Sequence, residues 1–373
     1  MKNKIYINGR FLTQSITGVQ RYSNELLHIW DNLLDDKKAY GNYDIEVLLP
    51  KKGDADIPKT KNIKVTRVGN LTGHAWEQLE LPLKTKDGLL FCPGNTCPII
   101  SLFSKQKTVV TIHDLSYLYF PSAYSFQFRA FYNLLIPRIL NKSDSIITVS
   151  NSEKNKISSY YSSYKDKIKV VKHGIIAQEN ETFSSENIDV KEKVDKVKPY
   201  MLYVGSLSKR KNIEGVIKAF EIINKQVDID LFIVGGGNNS FNKADIVIND
   251  ELSRNIKFLG HINDKSKLFE IYENAKCLLF PSFYESFGFP VLEAMLNYCP
   301  VIASDIPALN EICEDKAILC DPYDVADIAN KTLLVLKDEK VRNKLVKEGY
   351  NHAIKFTWKK AGEETLNVIK EVL

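Results

Sequence analysis

The chain has 373 residues, of which 44% are hydrophobic and 26% charged, with a net charge of +5. That length exceeds one ordinary core and predicts two domains, and the balance is that of a soluble globular protein. No apolar run approaches the ~18 residues of a membrane span, and the opening MKNKIYINGR lacks the apolar core and cleavage site of a signal peptide.

In chain order, Lys4 to Asn8 (KIYIN) reads as a first strand, followed by the loop GRFLTQSITGVQRY and a helix from Arg21 to Leu34. Strands are predicted at Tyr43–Pro50, Gly88–Cys92, Lys107–His113 and Ser145–Ser150, with an amphipathic helix from Phe126 to Leu140. The polar, weakly periodic stretch 176–198 reads as a linker between a first domain, 1–175, and a second, 199–355. In the second, strands are predicted at Tyr200–Gly205, Ile229–Gly235, Asn255–Leu259, Ala275–Pro281, Pro300–Ser304 and Ala317–Cys320. Helices are predicted at Asn212–Asn224, Lys265–Asn274, Asp324–Leu336 and Glu339–Lys355, and a last one at Lys359–Leu373. Short apolar runs alternating with helices predict two α/β, Rossmann-like doubly wound sheets. Ligands of such sheets bind at the carboxyl ends of the strands, so a cleft between two facing sheets is the expected site.

Charge and cysteines narrow the setting. Residues 1–195 carry a net +6 and the remainder −1, which fits approach to an anionic partner such as a membrane surface. No basic run or aromatic platform points to nucleic acid. The six cysteines are scattered, and Cys92 and Cys97 have no second close pair, so neither zinc nor disulfides are expected and a reducing cytoplasm fits.

The stretch FPSFYESFGFPVLEAM places Glu285 and Glu293 eight positions apart around Phe287-Gly288-Phe289-Pro290. Pro290 suits the first turn of a helix that carries Glu293. Backbone amides of Phe289, Val291 and Leu292 would then face an anion or hydroxyl, helped by the helix dipole. Paired carboxylates accept hydrogen bonds from a polyol. YVGSLSKRKN follows a strand and precedes a helix, with Gly205 allowing close backbone approach. Arg210 and Lys211 stand at a helix start, where cations are unfavourable unless an anion compensates them. Gly18 lies in the first loop, where a lone glycine reads as readily as structural, and His113 ends a strand where it could orient a hydroxyl, although a lone histidine is more often structural. Gly260, His261 and Ile262 close another strand, where backbone groups could meet a flat base. Gly235, Gly236 and Gly237 lack the spacing of a dinucleotide fingerprint and read first as a tight turn, with a dehydrogenase as the functional alternative.

Together these segments resemble the retaining, nucleotide-sugar-dependent glycosyltransferases of family 4. The resemblance covers nearly the whole chain: TGVQRY, TIHDLSYLYFP, ITVSNSEK, VKHGI, YVGSLSKRKN, FLGHI, the two-glutamate motif and the closing FTWKKAGEET. It implies the GT-B fold, with a terminal helix, 356–373, returning to the first, acceptor-side domain. It further implies Glu285 at the donor sugar and Glu293 at the nucleotide ribose. Phe287, Gly288 and Phe289 would meet sugar and phosphate, Arg210 and Lys211 the diphosphate, and Gly18 and His113 the region of phosphate, sugar and acceptor. Ser206 stands where many of the family carry an arginine, which leaves the diphosphate more dependent on Arg210 and Lys211. No cofactor and no divalent metal are expected, since the two cations would stabilise the leaving diphosphate. The expected partners are a UDP- or GDP-sugar and a glycan acceptor, as in O-antigen or capsule assembly on a polyprenyl diphosphate lipid. The expected setting is the cytoplasm at the inner face of the plasma membrane. The helix carrying Arg129 and Arg138 among aromatics reads either as a membrane contact or as core. A non-catalytic nucleotide-sugar-binding protein and a GT-B-like epimerase remain the alternatives.

Overall fold

The computed structural model describes residues 3–175, 198–236 and 250–373. The chain divides into two compact units, Met1–Glu179 with Phe356–Leu373, and Asn180–Lys355. The expected linker 176–198 lies, except for Lys198, outside the described residues.

In the first unit seven parallel strands form one sheet: β1 Asn3–Asn8, β2 Tyr43–Pro50, β3 Lys64–Val68, β4 Leu89–Cys92, β5 Thr108–Thr111, β6 Ser145–Thr148 and β7 Ile168–Val170. Their order is β3-β2-β1-β4-β5-β6-β7, so the winding reverses between β1 and β4. The central strands are buried on both faces, which is why their sequences are continuous apolar runs such as LLFC and SIIT. β3 and β7 are edges, and their mixed sequences KVTRV and IKV carry no comparable run.

The helix Gly18–Leu33 begins three residues before its apolar pattern does. Thr17 is its N-cap, and the Gln20 side chain reaches back to accept from the Thr17 amide at 3.1 Å. It packs on the last helix, Trp358–Val372, which buries Trp358, Ala361, Gly362, Thr365, Leu366, Val368 and Ile369 at helical spacing. Gly362 lets the two backbones approach: a Cβ there would lie 2.7 Å from Ile29, and the Trp30 indole donates to the Gly362 carbonyl at 2.9 Å. The terminal helix therefore belongs to the first unit.

The second unit holds a six-stranded parallel sheet: β8 Tyr200–Val204, β9 Asp230–Val234, β10 Ile256–Gly260, β11 Leu278–Phe280, β12 Val301–Ser304 and β13 Ile318–Cys320. The order β10-β9-β8-β11-β12-β13 reverses between β8 and β11. Tyr203, Ile213, Phe220, Ile233, Leu279 and Ile302 lie in one core over this sheet. Both sheets are thus doubly wound α/β sheets, each with a switch point where the rule for such sheets places ligands.

Candidate active site

The switch point of the second sheet gathers the two stretches singled out in the sequence. β8 leads through Gly205 into a short turn, Lys209–Lys211, and β11 leads through Pro281 to Glu285. Asn212 joins them. It adopts a left-handed conformation (φ 56°), accepts from the Gly215 amide, and so caps the helix Ile213–Asn224. Its side-chain amide donates to the carbonyls of Pro281 (3.0 Å) and Pro322 (2.8 Å). The Phe283 amide donates to the Arg210 carbonyl at 3.0 Å, which closes the two loops on each other.

Arg210 and Lys211 therefore precede the helix by a residue and converge on Glu285. Lys211 Nζ lies 2.5 Å from Glu285 Oε1 and 4.9 Å above the Phe280 ring. Arg210 Nη1 donates to the Tyr284 carbonyl at 2.9 Å and stands 3.7 Å from Glu285 Oε2. The anion that compensates the cations at this helix start is a protein carboxylate. Burial of Glu285 would by itself raise its pKa, but Lys211 and then Arg210 outweigh that and hold it below the ordinary value. The carboxylate is ionised and fixed, and the two cations against one anion leave the cluster net positive.

Gly288 caps the next helix, Phe289–Leu296, at φ 109°, a backbone state that L side chains rarely adopt; a Cβ there would also meet Leu309 at 2.7 Å. Phe289 follows at the helix N-terminus, its ring 5.3 Å from that of buried Phe287. Val291 departs from expectation: its amide donates to the Gly288 carbonyl at 3.1 Å and its side chain is fully buried, so it is part of the turn. Glu293 is buried too, and its Oε2 accepts from the Tyr272 hydroxyl at 3.1 Å. Gly205 follows β8 and Gly260 ends β10, with Gly235, which follows β9, between them. The Gly205 amide donates to Val234, and the Gly235 amide donates to Gly260 at 2.8 Å. A Cβ at Gly235 (φ 128°) would lie 2.0 Å from the Gly205 carbonyl oxygen. Gly235 thus serves a tight approach of strand ends, and Gly237 lies outside the described residues. His261 is exposed beyond β10, with Ile262 half-buried beside it.

Two predicted residues fall in the first unit. Gly18 is the exposed first residue of its helix, not a loop residue. His113 follows β5 and is only 4% exposed. Its Nε2 lies 2.7 Å from the Pro93 carbonyl, its amide donates to Asn95, and its ring stacks on His173 and meets Tyr22 edge-on. Burial pushes its pKa down, so the ring is neutral and Nε2 is the protonated nitrogen.

With this geometry in place, two family models match: Glycosyltransferase Family 4 over residues 93–179, and Glycosyl transferases group 1 over residues 184–352. The chain belongs to the GT-B glycosyltransferases of family 4 type. It is 27% identical over 271 residues to the O-antigen chain mannosyltransferase B of Escherichia coli, covering 71% of this chain and 70% of that one. It is 25% identical over 335 residues to the O-antigen chain mannosyltransferase RfbU of Salmonella typhimurium, covering 85% and 87%. Its fold matches that of sucrose-phosphate synthase from Thermosynechococcus elongatus with a TM-score of 0.75 at 19% identity, over 100% of this chain and 99% of that one.

In this glycosyltransferase the sequence reading missed two residues that shape the site. Asn212 carried a usable signal, an Asn directly before an apolar helix. Tyr272 carried none, since it meets Glu293 only through the packing of the helices Lys265–Asn274 and Phe289–Leu296. Among the described residues no three His, Cys, Asp or Glu are grouped to hold a metal ion, and no helix is long and apolar enough to cross a membrane.

Proposed function

We propose that this glycosyltransferase moves mannose from a UDP- or GDP-sugar to a hydroxyl of a growing O-antigen glycan, with retention at the anomeric carbon and without a divalent metal. The observation that carries the reading is the Arg210–Lys211–Glu285 cluster at the β8/β11 switch point, beside the N-terminus of the Phe289–Leu296 helix. Mannose and the O-antigen come from the names of the two bacterial relatives.

In the proposed reaction the bond from the anomeric carbon to the diphosphate oxygen breaks and a bond to the acceptor oxygen forms. The acceptor proton passes to the departing diphosphate. Charge grows on the diphosphate, and Arg210 and Lys211 supply fixed cations for it. Glu285 keeps both cations in place before the donor arrives and offers its oxygens to sugar hydroxyls. Glu293 accepts from the ribose, and the helix N-terminus faces the phosphates. Gly205, Gly260, His261 and Ile262 border the base, while Gly18 and His113 lie on the acceptor side. The acceptor is carried on a polyprenyl diphosphate lipid, and the enzyme works in the cytoplasm against the membrane. Exposed Phe126 and Leu134, on the helix that also bears Arg129 and Arg138, support that contact; its Tyr132, Leu135, Ile136, Ile139 and Leu140 are core.

The test is a thermal-shift panel of UDP, GDP, dTDP and their sugars, with and without magnesium, followed by an assay for released diphosphate. A selective, magnesium-independent shift together with turnover supports the reading. Binding without turnover favours a non-catalytic binder, and no shift with any nucleotide overturns the donor assignment.

A further inference from the structure

The helix Lys265–Asn274 joins two places that the donor reading puts beside the nucleoside. It starts just past Gly260, His261 and Ile262, at Asp264, whose Oδ1 accepts from the Ser266 amide (2.9 Å) and the Lys267 amide (3.3 Å) and caps the first turn. It ends against β8, where the Tyr200 hydroxyl donates to the Ile271 carbonyl at 2.9 Å and the Lys276 amide donates to the Tyr200 carbonyl at 2.8 Å. Of its ten residues Tyr272 is the one that is buried, at 0% exposure.

A tyrosine ring can be buried for its area alone, but its hydroxyl then needs a partner in place of water. Here the partner is Glu293, whose Oε2 accepts from the Tyr272 hydroxyl at 3.1 Å. Glu293 lies inside the helix Phe289–Leu296 and is 6% exposed. Its backbone carbonyl accepts from the Asn297 amide (3.1 Å) and from the Asn297 side chain (2.8 Å), which fixes the main chain. The main chain does not fix the head group, because the last torsion of a glutamate is broad. Tyr272 does so from a neighbouring helix, with a ring that the core holds still. A phenylalanine would fill nearly the same volume, so the hydroxyl serves the carboxylate rather than the packing.

A carboxylate held in one direction discriminates. When the ligand lacks the hydroxyl at which the carboxylate is aimed, a buried acceptor is left unsatisfied; a carboxylate that can turn finds another partner and loses less. We propose that Tyr272 is the positioning residue that makes this site select ribonucleoside diphosphates over their deoxy counterparts, by aiming Glu293 at the ribose hydroxyls. The proposal rests on the donor reading above. Tyr272 itself touches neither the donor nor the reacting atoms.

Isothermal titration of the full chain with UDP and GDP, and with the 2′-deoxy and 3′-deoxy forms of each, tests it. The wild type should bind its ribonucleotide about 10-fold or more tighter than one of the deoxy forms. Tyr272→Phe should narrow that ratio to about 2–3-fold, chiefly by weakening the ribonucleotide. Glu293→Gln should narrow it as well, and adding Tyr272→Phe to Glu293→Gln should narrow it no further, since Tyr272 acts through Glu293. A tyrosine that only supports the fold would weaken ribo and deoxy forms alike; an unchanged ratio in Tyr272→Phe would therefore overturn the proposal. So would a wild type that binds nucleotide without discriminating, or a double variant in which the two effects simply add. Failure of the wild type to bind any of the nucleotides would overturn the donor reading itself, and the proposal with it.

Discussion

Lys211 Nζ and Glu285 Oε1 lie 2.5 Å apart, and the two side chains are only 12% and 8% exposed. Seventy-four positions separate them in sequence, and the ends of β8 and β11 bring them together. Breaking a buried pair by removing one member leaves the other uncompensated, at a cost of about 3–5 kcal/mol. Arg210 at 3.7 Å retains part of the compensation, so Lys211→Ala should fall below that range. Lys211→Ala combined with Glu285→Gln should be less destabilised than the sum of the single variants. Urea denaturation of the four proteins at pH 7 measures this. In a transfer assay, Lys211→Ala should lose about 100-fold or more in kcat, as for removal of one preorganised donor. A near-normal rate would remove Lys211 from the diphosphate site.

Glu77 predicts an acid limb in the stability curve. Its pKa falls from an ordinary 4.5 to about 2 on folding. A carboxylate depressed in this way contributes stability that is complete above its unfolded value and lost as pH falls through the folded one. The shift corresponds to about 3 kcal/mol. Chemical denaturation between about pH 5 and pH 2.5 should show this loss in the wild type, and Glu77→Gln should flatten it while lowering stability at neutral pH.

The two clusters were unequally legible in the sequence. Glu285, Glu293, Arg210 and Lys211 were readable because local cues marked them: acids flanking an aromatic-Gly-aromatic-Pro turn, and cations at a helix start. Their mutual pairing was not readable, since it depends on strand order. The Glu77 cluster had no local cue at all: Asn8 ends β1, Glu77 lies on the short helix Gly73–Leu79 and Thr96 in the loop after β4, and only the β1/β4 reversal gathers them. The strands missed in the fold were the edges β3 and β7, whose partly exposed faces remove the apolar run that marks a central strand. The helices Gly73–Leu79 and Pro307–Cys313 were missed because seven residues are too few for a visible period.

The stacked pair His113–His173 sets a second, higher pH window. Burial pushes the pKa of both rings below the ordinary 6.5, and for His173 the neighbouring His113 and Arg21 push further. Below about pH 6.5 the unfolded chain takes up protons that these buried rings refuse, so stability falls as pH drops through that value, by up to ~1.4 kcal/mol per pH unit for each ring. Thermal midpoints between about pH 7.5 and 5.5 should decline in the wild type and decline less in His173→Phe, well above the window of Glu77. A flat profile in the wild type would mean that the two rings together take up as many protons in the fold as in the unfolded chain.

Three glycines with positive φ should rank by what a methyl group would meet. At Gly235 a Cβ would sit 2.0 Å from the Gly205 carbonyl oxygen, a backbone atom that cannot turn aside without parting β8 from β9. At Gly288 it would meet Leu309 Cδ2 at 2.7 Å, the far end of a flexible side chain. At Gly260 nothing lies within 4 Å, so only the backbone conformation at φ 69° resists the change. Gly260→Ala should therefore cost about 1–2 kcal/mol, the conformational penalty alone. Gly288→Ala should cost that penalty plus a partial repacking of Leu309, and should lower turnover because it shifts the N-terminus of the helix that carries Glu293. Gly235→Ala should be the most destabilising, with both clash and conformation against it and no compliant neighbour to absorb them. Denaturant midpoints of the three variants give the order directly. An equal cost at all three would mean that backbone conformation alone decides, and that the contact between Gly235 and Gly205 relaxes without resistance.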